Sequence, residues 1–228
     1  MLFKSQIITS ASGSVGGITA SRNKGGMYFR ARAIPTDPGS EFQVAVRNAQ
    51  AQIAARWNDV LTQLQRDAWQ VYADNVTLPN PLGDQRNVSG IAMYSRSNVI
   101  RLQVGLSIID DGPVIFSLPT FSDPSIAAFA AAVETYDIAF SETDAWALEV
   151  GGAMLVYGSR PQNPGIKFFK GPYRFAASIL GAVVAPTSPA TITSPFPFAD
   201  GNQLFLQTRV VLADGRLSSA FRFRGISA

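Results

Sequence analysis

The hydrophobic pattern of this 228-residue chain changes period at Asp110-Asp111-Gly112-Pro113, and that change limits the folds open to it. Upstream, Phe42, Val46, Ala49, Ile53, Trp57 and Val60 recur at three- and four-residue steps. Such steps lay one apolar stripe along a helix and point it at a partner surface. Downstream, short apolar runs are separated by Gly- and Pro-bearing breaks, as strands joined by turns are. A run of helices followed by a run of strands predicts an α+β chain.

The helical stretch, 40–110, reads as a small three-helix region. Ser40 is placed to cap the first helix, with Glu41 favoured by the dipole of the first turn. Thr62 followed by Gln65 has the spacing of a capping box. Leu64, Ala68, Val71, Tyr72 and Val76 give the second helix its stripe, and Pro79-Asn80-Pro81 is expected to stop it. Ser89 opens a third helix through Ile91, Tyr94, Val99 and Leu102, ending near Gly105. Three helices in so few residues are marginal alone and gain from docking on a neighbour.

Over 111–228 the expected strands are 114–118, 135–140, 146–150, 154–157, 173–180, 204–212 and 219–224. The last follows a turn at Asp214-Gly215. Seven short strands with evenly spaced turns fit an antiparallel β-sandwich. The Ala-rich run 125–133 stands out as one short helix, and Asp110-Asp111 reads as a linker between the two regions.

Residues 1–39 differ from both. They hold Ser12-Gly13-Ser14-Val15-Gly16-Gly17 and Gly25-Gly26, and close on Pro35-Thr36-Asp37-Pro38-Gly39. Lys4, Arg22, Lys24, Arg30 and Arg32 face no acid before Asp37, so a net charge of +3 hides a basic end on a near-neutral body. The expected form is an extended arm or hairpin that contacts something acidic. Arg22, Lys24, Arg30 and Arg32 are its electrostatic candidates; Tyr28 and Phe29, interleaved with them, are its apolar anchors. An acidic protein groove, or strand addition to a partner's sheet edge, is the expected use. Nucleic acid is not the expected partner, because four charges are few and no known nucleic-acid module surrounds them.

Composition narrows the chemistry. There is no Cys and no His. That removes disulfides, thiol nucleophiles, imidazole bases and the usual zinc sites. Ser12–Gly17 lacks the Lys and the following helix of a phosphate loop, so it reads as a turn using Gly for positive φ. Glu142, Asp144 and Glu149 could form the carboxylate pair of a glycosidase, but a solvated strand edge is the expected role, and Asp200 belongs to a turn. No catalytic residue, cofactor or metal is expected. No stretch reaches the roughly 18 apolar residues of a membrane span, and the N-terminus lacks a signal-peptide core. Phe168 and Phe169, beside Lys167 and Lys170, and the Pro-flanked Phe196 and Phe198 lie in turn-rich segments. Apolar side chains there point to a protein contact.

Three segments together resemble a family of uncharacterised tailed-phage and prophage virion proteins. They are Gly13-Ser-Val-Gly-Gly-Ile-Thr-Ala-Ser-Arg-Asn-Lys-Gly-Gly-Met-Tyr-Phe-Arg30 with Pro35-Thr-Asp-Pro38, then Trp57 with Leu61-Thr-Gln-Leu-Gln-Arg-Asp-Ala-Trp69, then Val88-Ser-Gly-Ile-Ala-Met-Tyr94. In the last, Val88 stands where the family has Leu. The resemblance covers roughly residues 10–105. The second half is similar in outline to immunoglobulin-like or fibronectin-like domains on phage surfaces, through Asp214-Gly-Arg-Leu-Ser218. The resemblance implies a virion structural protein and not an enzyme. The expectation is a capsid decoration, or cement, protein that holds the head lattice by its arm and helical region. A tail, neck or baseplate component is the alternative. The implied partners are the major capsid protein, other virion proteins and further copies of itself, with no membrane.

Overall fold

A computed structural model describes residues 12–23, 26–79 and 84–227. The chain divides into two compact units, Met1–Gln43 and Val44–Ala228.

In the first unit, β1 (Gly13–Val15), β2 (Ile18–Asn23) and β3 (Gly26–Ala31) form an antiparallel sheet in that order. The extended segment is thus a meander of three strands rather than a bare arm. Gly16 turns β1 into β2 at a φ of 57°, where a Cβ would be strained. This is the role of the Gly run that superficially resembled a phosphate loop. Arg32 N–H donates to Gly17 O at 2.9 Å and extends the β2–β3 ladder by one pair.

Three α-helices are described: α1 (Glu41–Asp59), α2 (Gln63–Asn75) and α3 (Gly90–Gln103). The capping box is present, with Gln65 N–H donating to Thr62 Oγ1 and Thr62 N–H to Gln65 Oε1. α2 ends at Asn75, before the prolines, with Val76 N–H still bonded to Tyr72 O. Pro79 instead sits in a two-residue strand, β4 (Leu78–Pro79), paired with β5 (Gln85–Arg86); Asn80 and Pro81 lie outside the described residues. Trp69, Tyr72, Ala73, Met93 and Tyr94 close around Ile53 and Leu61 as one buried cluster. The α1 stripe is only partly used. Ile53 is buried and Trp57 packs on the cluster, whereas Phe42, Val46 and Val60 stay exposed.

Two antiparallel sheets follow. One orders β10 (Ala190–Thr193), β7 (Thr135–Ala139) and β6 (Ser125–Ala130); the other orders β12 (Phe221–Ile226), β11 (Gln203–Val211), β8 (Ala153–Gly158) and β9 (Arg174–Leu180). Both contribute to one buried cluster through Tyr136, Ile138 and Ile192 on one side and Met154, Val156, Ile179, Leu204, Leu206 and Val210 on the other.

Three expected elements differ. Residues 125–133 are not a helix but a strand followed by a single 3-10 turn, Ala131–Val133, which Glu134 ends at a φ of 54°. Alanine is indifferent enough for pairing to decide: Ile126 and Phe129 lie over Gly225 of β12, where an added Cβ would meet them at 2.9 and 2.8 Å. Residues 114–118 form no strand, because Pro113 and Pro119 are buried at either end and offer no N–H to a ladder. Residues 146–150 form turns. Trp146 is buried as a plug, and the Glu149 carboxylate accepts from Ala213 N–H at 3.1 Å.

The helices beyond Gln43 and the two larger sheets fall within one compact unit, and Asp110, expected in a linker, is bonded from several sides. Asp110 Oδ1 and Oδ2 accept from Arg56 Nε and Nη2 at 2.7 and 2.6 Å, and Tyr94 OH donates to Asp110 Oδ1 at 3.2 Å. Trp69 Nε1 donates to Asp110 O, and Gln65 Nε2 to Asp111 Oδ1, both at 2.9 Å. Among the described residues no helix is long and apolar enough to cross a membrane.

These bonds make a prediction. The Arg56 hydrogen bond holds the Asp110 carboxyl below the usual carboxylate value. A depressed folded-state pKa adds stability above the unfolded value, near 3.9, and loses it as pH falls through the folded one. Because the pair is partly solvated, its contribution is about 0.5–1 kcal/mol. Asp110→Asn is therefore expected to be less stable than wild type at pH 6, with the gap closing below about pH 4. Urea unfolding across that range measures it; a gap that stays constant with pH would refute the assignment.

Candidate binding surfaces

Strand pairing sorts the arm's candidates onto two faces. Ala20 pairs with Phe29 and Arg22 with Met27, so Val15, Ile18, Ala20, Met27, Phe29 and Ala31 share one face with Arg22 at its end. Thr19 pairs with Arg30 and Ser21 with Tyr28, so Ser14, Thr19, Ser21, Tyr28 and Arg30 share the other. Tyr28 and Phe29, expected to act together as anchors, point in opposite directions. Ser14 Oγ lies 2.7 Å from Thr19 Oγ1 on the polar face. Arg32 follows the end of β3, and Lys24 lies outside the described residues. None of the unit's described residues is buried. Val15 is 87% and Ile18 54% exposed.

The four loop phenylalanines separate. Phe198 is 7% exposed and belongs to the large cluster, edge-on to Phe129. Phe196 lies between two guanidiniums, Arg160 at 5.5 Å and Arg174 at 5.2 Å from its centroid, so its π face is already engaged. Phe169 stacks on Phe205 at 5.5 Å and meets the Tyr173 ring edge-on at 5.3 Å. Phe168, next to it, is 75% exposed.

Around Phe168, Phe169 and Lys167 the fold gathers residues from distant strands. A cleft of about 280 Å³ is lined by Lys167, Tyr173, Phe205, Arg222 and Arg224 as well as these rings. Its parts are held in place. Tyr173 OH donates to Phe169 O at 3.2 Å, Arg224 Nη1 to Lys167 O at 2.7 Å and Arg222 Nε to Gln207 Oε1 at 3.2 Å. Arg222 also lies 5.7 Å from the Tyr173 centroid. The cleft offers apolar ring surface and cations, and no carboxylate lines it. A signal for it does exist in the sequence. Residues 158–175 and 219–228 carry six cations and no acid, while all sixteen acids lie elsewhere.

Farther in on the same sheet face, Arg209 Nε is buried without a hydrogen-bond partner. Burial and the nearby Arg222 push its guanidinium pKa down. Arg96 of α3, beside Arg209, is brought down to about 10, mainly by burial. Its guanidinium donates to Leu217 O and Ser218 O at 2.8 and 2.9 Å.

The acids singled out for possible catalysis hold loops instead. Asp144 accepts from Ser122 N–H and Oγ, and Glu142 from Ser188 N–H.

Compared with models of known families and with curated proteins, the sequence matches none.

Proposed function

We propose that the protein is a structural component of a bacteriophage particle. In this reading it decorates the capsid, holding the head lattice through its N-terminal sheet and helical region. The observation that carries it is the exposed part of the apolar face of the first unit's sheet. A three-stranded sheet with an apolar face gains stability from a second layer, and Val15 and Ile18 on that face are exposed. A lattice subunit would cover them, with Arg22, Arg30 and Arg32 meeting acidic residues of the lattice.

The β region supports the finer fold reading, a fibronectin-like sandwich. Lettered in chain order, its sheets run A-B-E and G-F-C with the fourth strand beside C. An immunoglobulin constant domain carries its fourth strand on the other sheet. Domains of this kind serve as rigid spacers and contact modules, and no chemistry is assigned to this one.

The test uses the full chain with Val15→Asp and Arg30→Glu, both at exposed positions. Melting and circular dichroism should match wild type, while co-sedimentation with particles lacking the protein should fall at least tenfold. Unchanged occupancy would overturn the lattice contact. Copy number in wild-type particles separates locations: hundreds fit a head lattice, and a few fit the tail, neck or baseplate.

A further inference from the structure

Among the described residues β12 ends its sheet, pairing with β11 on one side only. Its residues alternate, although Phe223 also borders the cleft and Arg224 also borders the groove on the other side. Arg222 and Arg224 point to the outer face, beside Lys167 and the aromatic cleft. Phe221, Phe223 and Gly225 point the other way. They border a second groove, of about 500 Å³, walled on the far side by Ile126 and Phe129 of β6. The open edge thus lies between a cationic strip and an apolar trough. Arg222 and Arg224 stand about 6.6–6.8 Å apart, the spacing of alternate residues on any strand laid beside them.

We propose that the β12 edge binds an extended segment of a partner protein in which acidic and apolar residues alternate, taken up as a fifth strand of the sheet. Its backbone would pair with the β12 N–H and C=O groups. Its acids would fall on the side of Arg222, Arg224 and Lys167, and its apolar residues would enter the trough between β12 and β6. Charge complementarity selects this occupant, since no acid lines either groove. A plain polyanion would engage the arginines but leave the trough and the edge amides unmet. Strand addition uses all three, with main-chain bonds giving affinity and alternate pockets giving specificity. The proposal goes beyond the virion reading and does not depend on it.

The probe is a nine-residue peptide alternating Glu and Val, followed by fluorescence anisotropy against the full chain at low salt. Wild type is expected to bind it and to ignore the Lys/Val counterpart. Arg222→Glu with Arg224→Glu should weaken binding at least tenfold and confer binding of the Lys/Val peptide. Amide exchange over 221–226 should slow in the complex. Since the double variant could perturb the sheet, a second measurement leaves the protein untouched: N-methylation of the peptide's edge-facing amides should abolish binding. Absence of binding would overturn the proposal, as would equal affinity for a Glu/Ser peptide. A heparin or single-stranded DNA oligomer that competes fully without slowing exchange would reassign the arginines to generic polyanion contact.

Discussion

Replacing Arg101 with methionine is expected to lower the unfolding free energy of the full chain by about 3–5 kcal/mol. Arg101 is 3% exposed. Its Nε donates to Ser107 O at 2.8 Å, and its Nη1 to Gly151 O at 3.0 Å and Leu212 O at 2.9 Å. One guanidinium thus ties α3 to the turn ahead of β8 and to the end of β11. Methionine fills much of the volume but strands the Ser107 and Gly151 carbonyls, each a penalty of about 1–3 kcal/mol when left unmet, while Leu212 O keeps the Gly215 N–H. Burial lowers the guanidinium pKa, and the nearby Glu149 and Asp214 carboxylates work against that shift. Arg101→Lys should recover only part of the loss, because an ammonium cannot span a fixed fork. Urea unfolding followed by tryptophan fluorescence and far-UV circular dichroism measures the effect. Trp69 sits in the helical cluster and Trp146 in the β cluster. Loss of the tie is therefore also expected to broaden or split the transition. A change below about 1 kcal/mol would show that the apolar contacts between Ile100, Val104, Leu155 and Val211 hold the helices without it.

Trp69→Ala is the second large effect, about 3–5 kcal/mol. The indole is fully buried, edge-on to Tyr72 at 6.0 Å and Tyr94 at 5.4 Å, and donates to Asp110 O. The space it leaves cannot readily close. Gly112 already rests against Ala68 and Trp69 backbone, where a Cβ would come within 2.8 Å of Trp69 N, and Gly215 lies beside the far end of the ring. Trp69→Phe keeps part of the ring and removes the hydrogen bond, so an intermediate loss is expected. Equilibrium unfolding of the pair separates packing from the bond; equal losses would assign most of the effect to Asp110 O.

What could be read in advance was local. Thr62 and Gln65 are three residues apart and satisfy each other. The Asp214-Gly215 turn needs a positive φ, which Gly215 adopts at 89°. What could not be read depends on distant partners. Ser97, Asn98 and Arg101 of α3 are polar yet buried: Asn98 donates to Ile109 O, and Arg101 reaches Gly151 O and Leu212 O, which arrive with the strands. Ile126 and Phe129 become strand residues only because Gly225, nearly a hundred positions later, leaves them room. The binding surfaces divide in the same way. Phe168 and Phe169 were legible as apolar residues in a basic loop. Arg222 and Arg224 join them through β11–β12 register, which no local pattern announces. The absence of acids from 158–175 and 219–228 was countable beforehand, but its meaning required knowing that the two stretches meet.

That segregation also acts before any contact forms. The chain's net charge is only +3, so its monopole exerts little pull. Fourteen of the sixteen acids lie elsewhere in Val44–Ala228, so in the proposed strand addition the six cations of 158–175 and 219–228 would turn an approaching acidic segment toward the β12 edge. Steering of this kind decays over a Debye length of about 8 Å at physiological salt. Raising ionic strength should thus slow association well before it loosens a complex already seated on the strand.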